Sequence, residues 1–87
     1  MAVLIRHRAE TLNQELYDQV STPLLESVRS APGFILHVSY EDASGFCVSE
    51  VWETKEKHDA WFDANVVPNV PVPITQEVIE LHSVQGP

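Results

Sequence analysis

The sequence predicts an α+β fold with the element order β-α-β-β-α-β, and three observations predict it. Two stretches with helical spacing of apolar residues, one after position 11 and one after position 54, are separated by stretches that alternate with a period of two. Two of the alternating stretches are neighbours, joined by the polar segment Glu41 to Gly45, which has the length and composition of a link between antiparallel strands. The 87 residues suit one domain, 1–87. A chain this short buries only about 60–65% of its unfolded surface, so self-association is expected to complete its core.

Ala2 to Arg8 reads as the first strand, with Val3, Ile5 and His7 on one face and Leu4, Arg6 and Arg8 on the other. Thr11 followed by Gln14 fits a capping box, and Leu12, Leu16, Val20, Leu24 and Val28 form an i, i+4 stripe that Tyr17 and Leu25 widen. Pro23 lies inside this helix, where it removes one backbone bond and crowds the preceding turn. A kink, or a break recapped by Thr22, is expected there. Ala31-Pro32-Gly33 ends the helix, and Phe34 to Tyr40 is the second strand.

Phe46 to Trp52 alternates again and runs through Glu53 into Thr54, whose hydroxyl can accept an unsatisfied N–H of a helix's first turn. In the helix that follows, Ala60, Trp61 and Ala64, widened by Phe62 and Val66, make the apolar stripe opposite Lys55, Lys57, Asp59 and Asp63. The prolines at 68, 71 and 73 predict an extended, polyproline-like connector from Val66 to Pro73, with valines to lay on an apolar rim. Thr75 to Val84 is the last strand, before a polar tail. This order is the split β-α-β of the ferredoxin-like fold, one antiparallel sheet with both helices on one face.

Pairing Tyr40 with Phe46 sets Phe34 opposite Trp52, Leu36 opposite Glu50 and His37 opposite Ser49. Phe34, Leu36, Val38, Phe46, Val48 and Trp52 then share the face that helices should cover. The other face (Ile35, His37, Ser39, Cys47, Ser49, Val51) is half apolar, as expected of a sheet that meets a second copy's sheet. A homodimer joined through its sheets is the expected assembly.

Thirteen acidic against five basic side chains give a net charge of −8, which opposes binding to nucleic acid or to an anionic membrane. No basic leader precedes an apolar run, and no segment approaches the roughly 20 apolar residues of a membrane span. The expectation is a cytoplasmic protein. One cysteine excludes an internal disulfide, and four scattered histidines lack the close His/Cys spacing of a structural zinc site.

Several side chains could carry chemistry, each with a plainer structural reading. Trp52 stands where strand meets helix and is either a cavity wall or core packing. His58 is the first candidate base, since a near-neutral imidazole can take a proton from an acidic phenol or a carbon α to a carbonyl; its plainer reading is a solvated first-turn residue. His37 and His7 are the other candidate bases, each otherwise a satisfied strand histidine. Glu50, expected on the apolar face, must be paired, with Arg6 as one partner, or shifted upward in pKa. Tyr17 and Tyr40 offer phenolic donors or pack at a rim. Cys47 has no basic neighbour in sequence and reads as a small core residue.

The element order, the segment Val51-Trp52-Glu53-Thr54, and the following Lys-Glu-Lys-His-Asp-Ala-Trp-Phe with Pro68 soon after resemble the small antibiotic-biosynthesis-monooxygenase-like members of the dimeric α+β barrel superfamily. The resemblance spans essentially the whole chain. It implies two sheets closed face to face into a barrel, with a cavity between sheet and helices in each subunit. It also implies a cavity lined by Trp52, and Trp61, Phe34, Glu50 and Tyr17 are read beside it as candidate substrate contacts. His58 stands six residues after the tryptophan, where the anthrone oxygenases have a tyrosine, and Val48 replaces the asparagine they carry four residues before it. The haem-degrading members have an asparagine on the first strand and a histidine ten residues after the tryptophan. Here Phe62 stands at the second place, and His7 or Arg6 is the nearest polar residue to the first.

The activity so implied is a monooxygenase on an aromatic or polyketide-like small molecule that needs no metal, flavin or haem. Two alternatives stand beside it: a polyketide cyclase or isomerase of the same fold, and a non-catalytic dimeric module that binds a hydrophobic metabolite.

Overall fold

The computed structural model describes residues 2–9, 13–43, 45–70 and 73–85. The strands are β1 (Val3–Arg8), β2 (Phe34–Asp42), β3 (Gly45–Trp52) and β4 (Thr75–Glu80), and the helices are α1 (Gln14–Arg29) and α2 (Lys55–Asn65). The sheet order is β2-β3-β1-β4 and every pairing is antiparallel, so the fold is the ferredoxin-like one. Among the described residues, no helix is long and apolar enough to cross a membrane.

Alternation along β1 turns Val3, Ile5 and His7 inward, where all three are buried. Val3, Ile5 and Trp52 from the sheet meet Val28 of α1 in the core, with Leu25, Ala31, Phe34 and Trp61 packed around them. Trp52 is fully buried and takes Phe34 edge-on at 5.5 Å and Trp61 at 6.0 Å. The two helices are clasped by the Trp61 indole N–H, which donates to Ser27 Oγ at 2.9 Å.

α1 starts one residue after Asn13, whose side chain accepts from Leu16 N at 2.8 Å. Asn caps a helix as well as Thr does. The expected cap Thr11 and the stripe residue Leu12 lie outside the described residues. Pro23 does not break α1, which runs as one helix to Arg29. The ring sits on the exposed side, and the buried Val28 on the other side fixes the helix against the sheet whatever bond Pro23 omits. In α2 the expected cap is present, with Thr54 Oγ1 accepting from Lys57 N at 3.2 Å. The buried stripe, however, is His58, Phe62 and Val66 at i, i+4 and i+8, and Ala60 and Ala64 are exposed.

The connector also departs from expectation. Residues 66–70 form a hydrogen-bonded turn that prolongs α2, with Val67 N bonded to Phe62 O and Val70 N to Val66 O. Pro68 fits because its fixed φ suits a turn and no bond from its nitrogen is needed; Pro71 and Val72 lie outside the described residues. β4 ends at Glu80 rather than Val84, followed by one bond from Leu81 N to Ala2 O.

The consequential departure is in the β2–β3 register. Phe34 does pair with Trp52, but the next pairs are Leu36 with Val51, His37 with Glu50 and Val38 with Ser49. Ile35 is the extra residue of a bulge, and one extra residue turns every following side chain to the opposite face. His37 and Ser39 therefore lie under the helices, while Leu36 and Val38 lie on the uncovered face, 52% and 44% exposed.

Candidate active site

Between the helices and the bulge-shifted end of the sheet lies a cavity of about 90 Å³. Val20, Leu24, Leu25 and Val28 of α1 form one wall, and Trp61, Phe62, Val66, Val70 and Ile74 form another. The polar side chains in its lining include Tyr17, His37, Glu50 and His7. They arrive from α1, β2, β3 and β1, so no spacing along the chain announces them.

Tyr17, His37 and Glu50 form a completed relay. The Tyr17 hydroxyl lies 2.6 Å from His37 Nε2, and His37 Nδ1 lies 2.8 Å from Glu50 Oε2. A carboxylate only accepts, so His37 donates through Nδ1 and takes the tyrosyl proton's bond at Nε2, the arrangement of a neutral imidazole. Glu50 Oε1 accepts from the Trp52 indole N–H at 3.1 Å. Burial alone would raise the Glu50 pKa. The His37 bond, the nearby His7 and the Trp52 bond outweigh it, and the carboxyl is held below its ordinary value. Burial raises the Tyr17 hydroxyl above its ordinary value.

His7 and His58 form an incomplete pair. His7 Nδ1 lies 3.2 Å from Val48 O, and His58 Nδ1 lies 2.8 Å from Asp59 Oδ1. Carbonyl and carboxylate both accept, so each ring donates through Nδ1. The two Nε2 atoms then face each other at 3.0 Å with a lone pair on each, and that contact is completed only by a hydrogen or a cation held between them. Phe62 stacks on both rings at 5.2 Å. Burial pushes the His7 imidazole below its ordinary pKa; Glu50 opposes that shift and His58 adds to it.

Of the residues singled out from the sequence, His7, His37, Glu50, Tyr17 and Trp61 stand on the cavity wall. His58 and Trp52, expected to open into the cavity, are fully buried behind it. His58 is thus not a solvated first-turn residue, because the α2 stripe that buries Phe62 also buries the residue four before it. Phe34 packs on Trp52 away from the cavity. Glu50 does not pair with Arg6, which lies on the other face and bridges to Glu77 at 3.2 Å. Asp59 and Phe62 were not singled out as site residues; the i, i+4 spacing of His58 and Phe62 is the signal that ties them together.

The family model for antibiotic biosynthesis monooxygenases matches residues 1–67. The chain belongs to that family. None of the curated proteins matches the sequence significantly. Solved structures of similar fold include SnoaB, a cofactor-independent oxygenase from Streptomyces nogalater, at 10% identity and a TM-score of 0.67, covering 95% of this chain and 94% of that one. A monooxygenase of Streptomyces coelicolor in complex with nanaomycin D is 16% identical with a TM-score of 0.60, over 99% and 91% of the two chains. A heme-degrading protein of Mycobacterium tuberculosis is 18% identical with a TM-score of 0.66, over 99% and 98%. At these identities the likeness speaks for the fold, and the family assignment rests on the sequence match.

Proposed function

We propose that this family member is a monooxygenase that acts on an aromatic or polyketide-like small molecule with an acidic C–H or phenolic O–H, with His37 as the base. It takes the proton through the Tyr17 hydroxyl bonded to its Nε2. One observation carries the reading: an imidazole lines an apolar cavity and is backed by a buried carboxylate. Glu50 is positioned to stabilise the imidazolium that forms when His37 accepts a proton. His7 is the second polar group on the wall, with His58 behind it as a positioning residue and Trp52 holding Glu50. The carbanion left in the cavity passes an electron to O2, the radicals combine, and the hydroperoxide loses water. At a methylene centre the sum is one methylene group and one O2 converted to one carbonyl group and one water, so the substrate supplies all the electrons.

The cavity, about 90 Å³, is smaller than a cavity of about 150 Å³ that holds benzene. Oxygen-electrode measurements with an anthrone should record one O2 consumed per turnover. Turnover with no O2 uptake would assign a cyclase or isomerase, and binding without turnover a non-catalytic module.

The same reading takes the chain as one domain, cytoplasmic, and a homodimer joined through its sheets. Leu36, Val51, Leu4 and Ile79 form an apolar row across the uncovered face, and Leu36, Val38 and Ile79 are exposed. A stable dimer there would bury at least about 1,000 Å². Light scattering should give twice the 9.8 kDa chain mass; a folded monomer at micromolar concentration would overturn the dimer.

A further inference from the structure

We propose that His7, His58 and Glu50 form a binding site for a divalent transition-metal ion of the Zn2+ class at the inner end of the cavity. The three side chains are buried, and one ligand atom from each lies within 4.8 Å of the others. They come from β1, α2 and β3, which is why no ligand spacing appears in the sequence. Two imidazoles and a carboxylate suit Zn2+ and its neighbours rather than Mg2+ or Ca2+, which take oxygen ligands.

The hydrogen bonds around the site fix the ligand tautomers. A metal-bound histidine characteristically donates its other N–H to a carboxylate or a backbone carbonyl, and here His58 donates to Asp59 and His7 to Val48 O. Both Nε2 lone pairs are thereby directed into one small space and face each other at 3.0 Å. Ligands at about 2.0–2.1 Å from a tetrahedral ion stand roughly 3.3 Å apart, so the pair opens only slightly to admit one. Glu50 Oε1 is 4.0 Å from His58 Nε2; it accepts from the Trp52 indole N–H with one lone pair and offers the other to an ion, while Oε2 keeps His37. Because His7 and Glu50 line the cavity, a fourth coordination position opens towards it, as in a catalytic rather than a structural site. The site shares Glu50 and His7 with the proposed oxygenase site, but its test reads metal binding and not turnover, so either can fail without the other.

The test uses the full chain, stripped of metal with a chelator, and Zn2+ or Co2+ as the probe. Calorimetry should give one Zn2+ per chain, and Co2+ should give the visible bands of a tetrahedral site. In 1H–15N imidazole spectra, Zn2+ should shift His7 and His58 and leave the exposed His82 unchanged. Asp59→Asn, at a half-exposed position outside the core, should weaken binding about 10–100-fold, and Asp63→Asn should not. Substitution of His7 or His58 by Gln should abolish stoichiometric binding. Absence of binding, shifts centred on His82, or Zn2+ affinity unchanged in Asp59→Asn would overturn the proposal. So would spectra that keep one proton shared between the two Nε2 atoms at saturating Zn2+. The spectral arm needs no substitution, so a variant that fails to fold leaves the test intact.

Discussion

The two histidine pairings on the inner sheet face obey the same donor and acceptor rules and reach opposite outcomes. In Tyr17–His37–Glu50 every nitrogen and oxygen has a complementary partner, so the relay is complete as it stands. In His7–His58 both rings direct Nδ1 at fixed acceptors, and the 3.0 Å between their Nε2 atoms is completed only by a hydrogen or a cation held there. Glu50 is the neighbour of both, bonded to His37 and 4.0 Å from His58. A completed relay is suited to receive a proton and pass it back; an incomplete pair is suited to bind a third thing.

The largest effect is expected when the base is removed and the relay's geometry is kept. His37→Gln can still donate to Glu50 but cannot take a proton, and turnover measured by O2 uptake should fall about 10²–10⁴-fold. A variant with undiminished kcat would transfer the base role elsewhere. Nearly as large an effect is expected on stability from Trp52→Ala, which removes a fully buried ring and one of Glu50's donors. Guanidinium unfolding should show a loss of about 3–5 kcal/mol. Trp52→Phe, which keeps most of the volume, should lose about 1.5–3 kcal/mol through the missing bond to a charged group.

Acid should separate the two pairings in the metal-free protein. The folded-state pKa values of His7 and Glu50 are both depressed, from 6.5 and 4.5 respectively. Between its two pKa values each group binds more protons when unfolded, so its stabilisation is complete above the unfolded value and is lost as pH falls through the folded one. Urea midpoints should therefore hold from pH 8 to 7, decline below about 6.5 as His7 is affected, and decline further below about 4.5. His7→Phe should remove the first decline and, because His7 helps to hold the Glu50 carboxyl below its ordinary value, make the second shallower. The smallest effect belongs to Tyr17→Phe, which deletes one half-buried bond and should cost about 0.5–1.5 kcal/mol.

The order of elements was legible because helix and strand periods differ and because Thr54 caps in sequence as it does in space. The β2–β3 register was not. Ile35 is a β-branched residue that suits a regular strand, with no glycine to mark a bulge, and that unmarked residue decided which face received His37. The α2 stripe was misread because Ala60 and Ala64 look apolar on paper but bury little, while His58 looks polar and is fully buried. His7 beside His58 lies 51 positions away in sequence; only the antiparallel pairing of β1 with β3 and the return of α2 over the sheet bring them together.

The bulge at Ile35 also makes strand regularity a chemical variable. Deleting that one residue would restore simple alternation and still leave His37 opposite Glu50, because Leu36 already pairs with Val51. Flattening the bulge without a deletion, so that Ile35 took the place opposite Val51, would instead turn β2 over: Leu36 and Val38 would replace His37 and Ser39 under the helices, and the imidazole would move to the outer face. The one extra residue is thus what separates the proposed base from a hydrocarbon at the same place on the cavity wall. A relative with one fewer residue between Gly33 and His37 and a regular strand would keep the proposed base, a correspondence that an alignment without a gap would conceal.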